Sequence, residues 1–262
     1  RDYKKIAPKT IIILGGPEVS YDAYSILAEN EAIDYIVKSE GEITLQELLH
    51  SISGNKSFMD IKGIGYREGV NIYENRDREL LHDLDSIPFP YRGRLDEYKD
   101  KLIYYETSRG CPNNCTYCLS ATIKGVLFFS LERVKADISY LISHNVKKLK
   151  FVDRTFNCHE QRALEIMQFI IDEVIKNRAE TTFHFEICAD LLSAQMLLFL
   201  KQVPNGVFDF EIGVQSTMTE ALKAVNRKTD LPKLEDNIRQ LKDAGNIHLH
   251  LDLIAGLPHE GY

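Results

Sequence analysis

No stretch of this sequence is apolar for long enough to cross a bilayer, and no apolar segment follows the charged N-terminus of Arg1, Asp2, Lys4 and Lys5. The expectation is a cytoplasmic protein with no membrane partner. A basic excess is missing as well. Asp and Glu number 39 against 32 Lys and Arg, giving a net charge of −7, and broad nucleic-acid binding needs a basic surface to neutralise phosphates. No nucleic-acid partner is expected, and the short run Lys147, Lys148, Lys150 reads as a solvated entry to a strand. An even set of cysteines is also lacking. There are 5, which does not close a disulfide framework, and three of them fall between positions 111 and 118. That clustering points to a metal site in a reducing compartment. The chain starts without Met and stops after a strand pattern and a Gly-Leu-Pro loop, so both ends read as cuts through a longer protein.

What is present is enough for a large domain and a smaller one: 262 residues, 44% of them hydrophobic. Residues 10–53 alternate β-branched runs (10–14, 33–37) with helical patterns (21–29, 42–52), the grammar of a parallel sheet. Gly15 and Gly16 close the first run, either as a plain tight turn or to let a ligand come near the backbone. Between 54 and 101 the periodicity fades into strand-like pieces at 61–66 and 70–73 and the segment Ile87-Pro88-Phe89-Pro90, which reads as a linker. From 102 to 262 the alternation returns, with strands expected at 103–107, 148–153, 181–188, 207–215 and 247–254. Amphipathic helices lie between them, one capped by Ser193 and one stopped by Gly245. Five β-α units imply an α/β fold, as an open doubly wound sheet or a partly closed parallel barrel, with chemistry at the C-terminal strand ends.

The first of these strands runs into Cys111-Pro112-Asn113-Asn114-Cys115-Thr116-Tyr117-Cys118. Thiolates suit iron–sulfur clusters and zinc, and three cysteines leave one iron of a cubane open. A structural zinc would want a fourth ligand at tight spacing, and Cys158-His159 lies too far along the chain to be an obvious one. Cys158 and Cys188 are packing residues, second-cluster ligands or hydrogen-atom donors on sequence alone.

The C-x3-C-x2-C spacing with Tyr117 before the last cysteine resembles the radical SAM superfamily. The resemblance covers 102–262 and implies a partial (βα)6 barrel of which five units are present. It implies that Cys111, Cys115 and Cys118 bind a [4Fe–4S] cluster, that S-adenosylmethionine chelates the open iron, and that its cleavage yields a 5′-deoxyadenosyl radical. In the same way Tyr117 would present its backbone to adenine and Asp153 would line the cofactor site. Glu186 would accept from the methionine amine or the ribose, or be a paired strand carboxylate. Gln215 would reach the ribose, Arg227 would face the SAM carboxylate or stand as a surface charge, and Ile254 and Gly256 would give the adenine a flat surface.

With that core in view, residues 1–53 resemble the second half of the Rossmann-like cobalamin-binding domain found ahead of many radical SAM cores, on Ile11-Ile12-Ile13-Leu14-Gly15-Gly16-Pro17 and Ser39-Glu40-Gly41-Glu42. Gly15 and Gly16 would then lie beside the corrin's nucleotide tail, with cobalamin a cofactor of the full-length protein. The implied activity is methyl transfer, cyclisation or rearrangement on an unknown small molecule or other substrate, with a reducing partner such as flavodoxin or ferredoxin. The alternative is a non-catalytic iron–sulfur or zinc module for electron transfer or structure.

Overall fold

The computed structural model describes residues 2–54, 57–98 and 100–261, and the chain divides after His82 into two units. Arg1 and Tyr262, the two chain ends, lie outside the described residues.

The first unit holds helix α1 (Asp2–Ile6), strand β1 (Ile13–Gly15), helices α2 (Pro17–Ser20) and α3 (Ala23–Glu29), strand β2 (Tyr35–Val37), helix α4 (Glu42–Gly54) and strands β3 (Ile64–Glu68) and β4 (Asn71–Glu74). They form one sheet in the order β1-β2-β3-β4. β1 and β2 are parallel, in the register Ile13 to Tyr35 and Gly15 to Val37. Leu48 of α4 joins Val37, Ile64 and Tyr66 in one apolar cluster, and Ala23 and Leu27 of α3 join Ile33 and Ile36 in another. The sheet is therefore covered on both faces, as the Rossmann-like reading requires.

The second unit contains strands β5 (Ile103–Tyr105), β6 (Ser108–Cys111) and β7 (Gly125–Phe128), helix α5 (Leu131–Ser143), strand β8 (Lys148–Phe151), helix α6 (Glu160–Asn177), strand β9 (Thr182–Ile187), helix α7 (Ala194–Leu200), strand β10 (Phe208–Gln215), helices α8 (Thr219–Ala224) and α9 (Leu231–Ala244), and strand β11 (His248–Leu253). Its main sheet runs β11-β10-β9-β8-β5, and every pairing in it is parallel. Alternation along each strand sorts the side chains. Phe151, Phe183, Phe185, Phe208 and Phe210 are fully buried in one core with Val134, Ile138, Ile166, Ile170, Leu197 and Leu241 of the helices, each worth about 1.5–3 kcal/mol of burial. The opposite face is polar: Lys148 pairs with Asp209 at 2.7 Å, and Lys150 and His184 meet Glu211 at 2.8 and 2.9 Å. Helices pack against one face and the other carries charge, which decides against a doubly wound sheet, apolar on both faces.

The segment 54–101, expected as a linker, is shared between the units. β3 and β4 extend the first sheet as an antiparallel hairpin, because Ile64 and Tyr66 have apolar partners under α4. Leu84 and Leu95 are buried in the core of the second unit, and Asp85 is bound there: its Oδ1 accepts from Ser130 N at 2.9 Å and its carbonyl from Arg133 Nη1 at 3.2 Å.

Candidate cofactor site

The three clustered cysteines sit on and beyond a hairpin, where the sequence shows only a strand running into them. β6 pairs antiparallel with β7, Gly110 opposite Val126 and Cys111 opposite Gly125. Gly110 has φ +99, and a Cβ there would run into the carbonyl oxygen of Gly125, so only glycine lets these strands approach. Beyond Cys111 the chain turns. Cys118 N donates to Cys115 O at 3.1 Å, Cys115 is buried, and Cys111 and Cys118 are half-buried free thiols.

Several groups converge on these sulfurs. Thr155 Oγ1 is 3.5 Å from Cys111 Sγ. Arg227 Nη1 lies 4.0 Å from Cys115 Sγ, and its Nη2 donates to Cys188 Sγ at 3.3 Å. Asn113 Nδ2 also reaches Cys188 Sγ, at 3.8 Å. Cys188 is thus a neighbour of the cysteine loop, which spacing alone does not reveal because it comes from the end of β9. Burial, and next the adjacent Cys115 thiol, push the Tyr117 phenol up to about 12.

Asp153 is placed differently from its expected role along the cofactor site. Its carboxylate is fully buried and accepts from Thr107 N (3.0 Å), Thr107 Oγ1 (2.6 Å) and Ser108 Oγ (2.5 Å). It pins the step from β5 into the cysteine hairpin, so its oxygens are committed to the protein's own donors.

Glu186, Gln215 and Arg227 do come together. They line a small polar cleft of about 110 Å³ with Arg154, Ile187, Cys188, Glu211, Gly213 and Asp252. Glu186 is 3.5 Å from Lys150 Nζ. Burial works against the charge of Glu211, but hydrogen bonds from Lys150 and His184 outweigh it and hold the carboxyl below its ordinary value. Gln215 has φ +68 and sits at a bulge where the register of β10 against β11 shifts, a device that re-aims a side chain at a strand end. Gly213 makes room for it, since a Cβ there would strike Gln215 Nε2. Sequence reasoning missed Glu211, Gly213 and Asp252 as cleft residues. The period of 2 in β10 carried the signal, because it puts Glu211, Gly213 and Gln215 on one face. Tyr117, Ile254 and Gly256 do not line this cleft. Ile254 packs against Ala221, Val225 and Leu257, while its amide donates to Gln215 O at 2.9 Å. Gly256 has φ +85 and open space about it.

In the first unit, Gly15 and Gly16 line a separate, mostly apolar cleft of about 520 Å³ at the C-terminal ends of β1 and β2, with Ile13, Leu14, Val37, Ser39, Gly41, Glu42 and Leu45. Gly16 has φ +98.

A family profile described as the radical SAM superfamily matches residues 105–262. The chain belongs to the radical SAM superfamily. It is 27% identical over 265 residues to an uncharacterized methyltransferase of Pyrococcus horikoshii, covering 98% of this chain and 56% of that protein. It is likewise 27% identical over 285 residues to the cobalamin-dependent radical SAM methyltransferase TokK of Streptomyces tokunonensis, covering 98% and 40%. The chain thus spans about half the length of the curated relatives it matches. Among solved structures it resembles the cobalamin-dependent S-adenosylmethionine radical enzyme OxsB (TM-score 0.73, 20% identity, 97% of this chain and 38% of that one). It also resembles the radical S-adenosylmethionine methyltransferase TsrM of Kitasatospora setae (TM-score 0.75, 16% identity, 96% and 51%). These likenesses bear on the fold.

Membership of the radical SAM superfamily implies a [4Fe–4S] cluster and S-adenosylmethionine as cofactors. The donor set fits the cluster. It is three soft thiols on one loop, with a guanidinium beside Cys115 to offset thiolate charge. Among the described residues no group of three or more His, Cys, Asp or Glu side chains is gathered for a single metal ion. A cubane differs in giving each thiolate its own iron. The described residues contain no helix long and apolar enough to cross a membrane.

Proposed function

We propose that this chain is the cofactor-handling part of a cobalamin-dependent radical SAM methyltransferase that acts on a small molecule. The observation that carries the reading is the presence of two strand-end sites in one chain: the Gly15-Gly16 cleft in the first unit and the cysteine hairpin with its polar cleft in the second. Alignment with the methyltransferase relatives runs through both, over 98% of the chain.

In this reading Cys111, Cys115 and Cys118 ligate the cluster. When bound, the cluster supplies the electron that breaks the sulfonium C–S bond, and cobalamin supplies a methyl carrier. The protein's own groups bind and orient. Glu186 accepts from the methionine amine, Arg227 faces the methionine carboxylate, and Gln215, turned by its bulge, reaches the ribose hydroxyls. Tyr117, Ile254 and Gly256 receive the adenine. Gly15 and Gly16 leave room for the nucleotide tail of the corrin. Reduction comes from a partner of the flavodoxin or ferredoxin kind.

Metal analysis of the full-length protein, reconstituted anaerobically with iron, sulfide and hydroxocobalamin, tests the cobalamin part. Cobalt retained in proportion to the cluster is expected. A protein that loads its cluster but retains no cobalt after gel filtration is a radical SAM enzyme of another kind.

A further inference from the structure

The loop between Cys111 and Cys118 is held from a distant part of the chain. Thr116 N donates to Val225 O at 3.0 Å. Asn226 Nδ2 donates to Asn114 O at 2.9 Å, and Arg227 Nη1 lies 4.0 Å from Cys115 Sγ. Three consecutive residues, 225–227, thus meet three consecutive residues, 114–116, across a sequence separation of 112 for the latter two contacts.

The turn that makes these contacts is itself well defined. Asn226 has φ +55, its amide donates to Lys223 O at 3.1 Å, and Arg227 N donates to Leu222 O at 2.8 Å. These are the paired bonds of a Schellman stop at the end of α8, with asparagine in the left-handed position where glycine is usual. Ala221 and Val225 anchor it in an apolar cluster with Leu257. A helix stop alone would be served at least as well by glycine, so the carboxamide has a separate use: it satisfies Asn114 O beside a buried cysteine.

We propose that Asn226 is a positioning residue for the cluster. Its carboxamide and the neighbouring Val225 carbonyl fix the backbone on both sides of Cys115 and set the Arg227 guanidinium against Cys115 Sγ. Arg227 also donates to Gly213 O at 3.4 Å, so the same turn ties the cysteine loop to the strand that ends in the polar cleft. Donors aimed at a cluster thiolate favour the more negative, reduced state. The inference rests on the three-cysteine ligand set and is independent of cobalamin.

The test compares the parent with Asn226→Gly, which keeps the left-handed turn and removes only the carboxamide. In the metal-free proteins, hydrogen–deuterium exchange at 114–118 is expected to quicken about tenfold, the opening opposed by one ordinary hydrogen bond, with β8, β9 and β10 unchanged. After reconstitution the variant is expected to show a more negative midpoint potential and an altered electron paramagnetic resonance envelope, or to lose iron while its circular dichroism stays that of the parent. Unchanged exchange at 114–118, or exchange quickened throughout the second unit, overturns the proposal. So does a reconstituted variant with the parent's potential and spectrum. A parent that assembles no cluster would refute the ligand set instead, while the exchange comparison would still decide whether Asn226 holds the loop.

Discussion

Asp153 holds Thr107 twice, accepting from its backbone amide at 3.0 Å and its hydroxyl at 2.6 Å, and so fixes the point where β5 gives way to the cysteine hairpin. Burial raises this carboxyl to about 6, against the lowering effect of the Ser108 and Thr107 hydrogen bonds. The folded protein therefore holds this proton more tightly than the unfolded chain does. Its contribution to stability is complete below the unfolded value near pH 4 and is lost as pH rises through 6. At 1.36 kcal/mol per unit the change is roughly 3 kcal/mol. In urea unfolding of the metal-free protein, Asp153→Asn is expected to gain on the parent by up to about that amount between about pH 4 and about pH 8. A stability difference that does not vary with pH would show that Asp153 ionises as it does in the unfolded chain.

Gly110 and Gly125 face each other across the hairpin with unequal freedom. Both have positive φ, but only at Gly110 does a Cβ meet backbone, the Gly125 carbonyl. Gly110→Ala should cost about 1–3 kcal/mol and lower the iron retained after reconstitution. Gly125→Ala, which meets nothing within 4 Å, should cost less and keep more iron. Equal iron retention in the two variants would show that the close approach at Gly110 has no bearing on the site.

Phe185 is fully buried and stacks on Phe151 with centroids 4.6 Å apart and planes at 11°, while Phe208 meets its ring edge-on at 5.1 Å. Phe185→Ala should lower stability by about 3–5 kcal/mol. A loss under 1 kcal/mol, read from chemical denaturation, would contradict the packing described for the sheet's apolar face.

Gly15 has room for a side chain at ordinary contact distance, 3.6 Å from Val37 O, so Gly15→Val should fold and partly fill its cleft. Hydroxocobalamin binding by the full-length protein, followed by visible spectroscopy, should weaken about tenfold or more, an effect of at least 1.4 kcal/mol, with cluster content unchanged. Parent-like affinity would place the corrin elsewhere.

The parts of this architecture visible in the sequence are the local ones. The cysteines announce themselves because three ligands lie within one loop, and Ser193 and Gly245 mark helix ends by short-range hydrogen bonding, seen in Ser193 Oγ accepting from Met196 N at 3.1 Å and Gly245 taking φ +68. The β-α alternation marks the five strands, and the family resemblance points to Gln215, although the bulge that turns it is not visible in the sequence. What stayed hidden depends on residues far apart in the chain. The Asp153–Thr107 bond spans 46 positions and the Asn226–Asn114 bond 112. Helix α8, only six residues long, has too few turns to show a period. The hairpin of β3 and β4 looked like linker because each strand is short and its burial comes from β2 and α4, not from its own pattern.

The central claim, a site-differentiated cluster on Cys111, Cys115 and Cys118, is tested most directly by low-temperature electron paramagnetic resonance of the anaerobically reconstituted, reduced protein with and without S-adenosylmethionine, beside Cys115→Ala. A four-iron signal that changes shape when S-adenosylmethionine is added, and that is absent from the variant while its secondary structure persists, is the expected result. A signal indifferent to S-adenosylmethionine, or one that survives in Cys115→Ala, would contradict it.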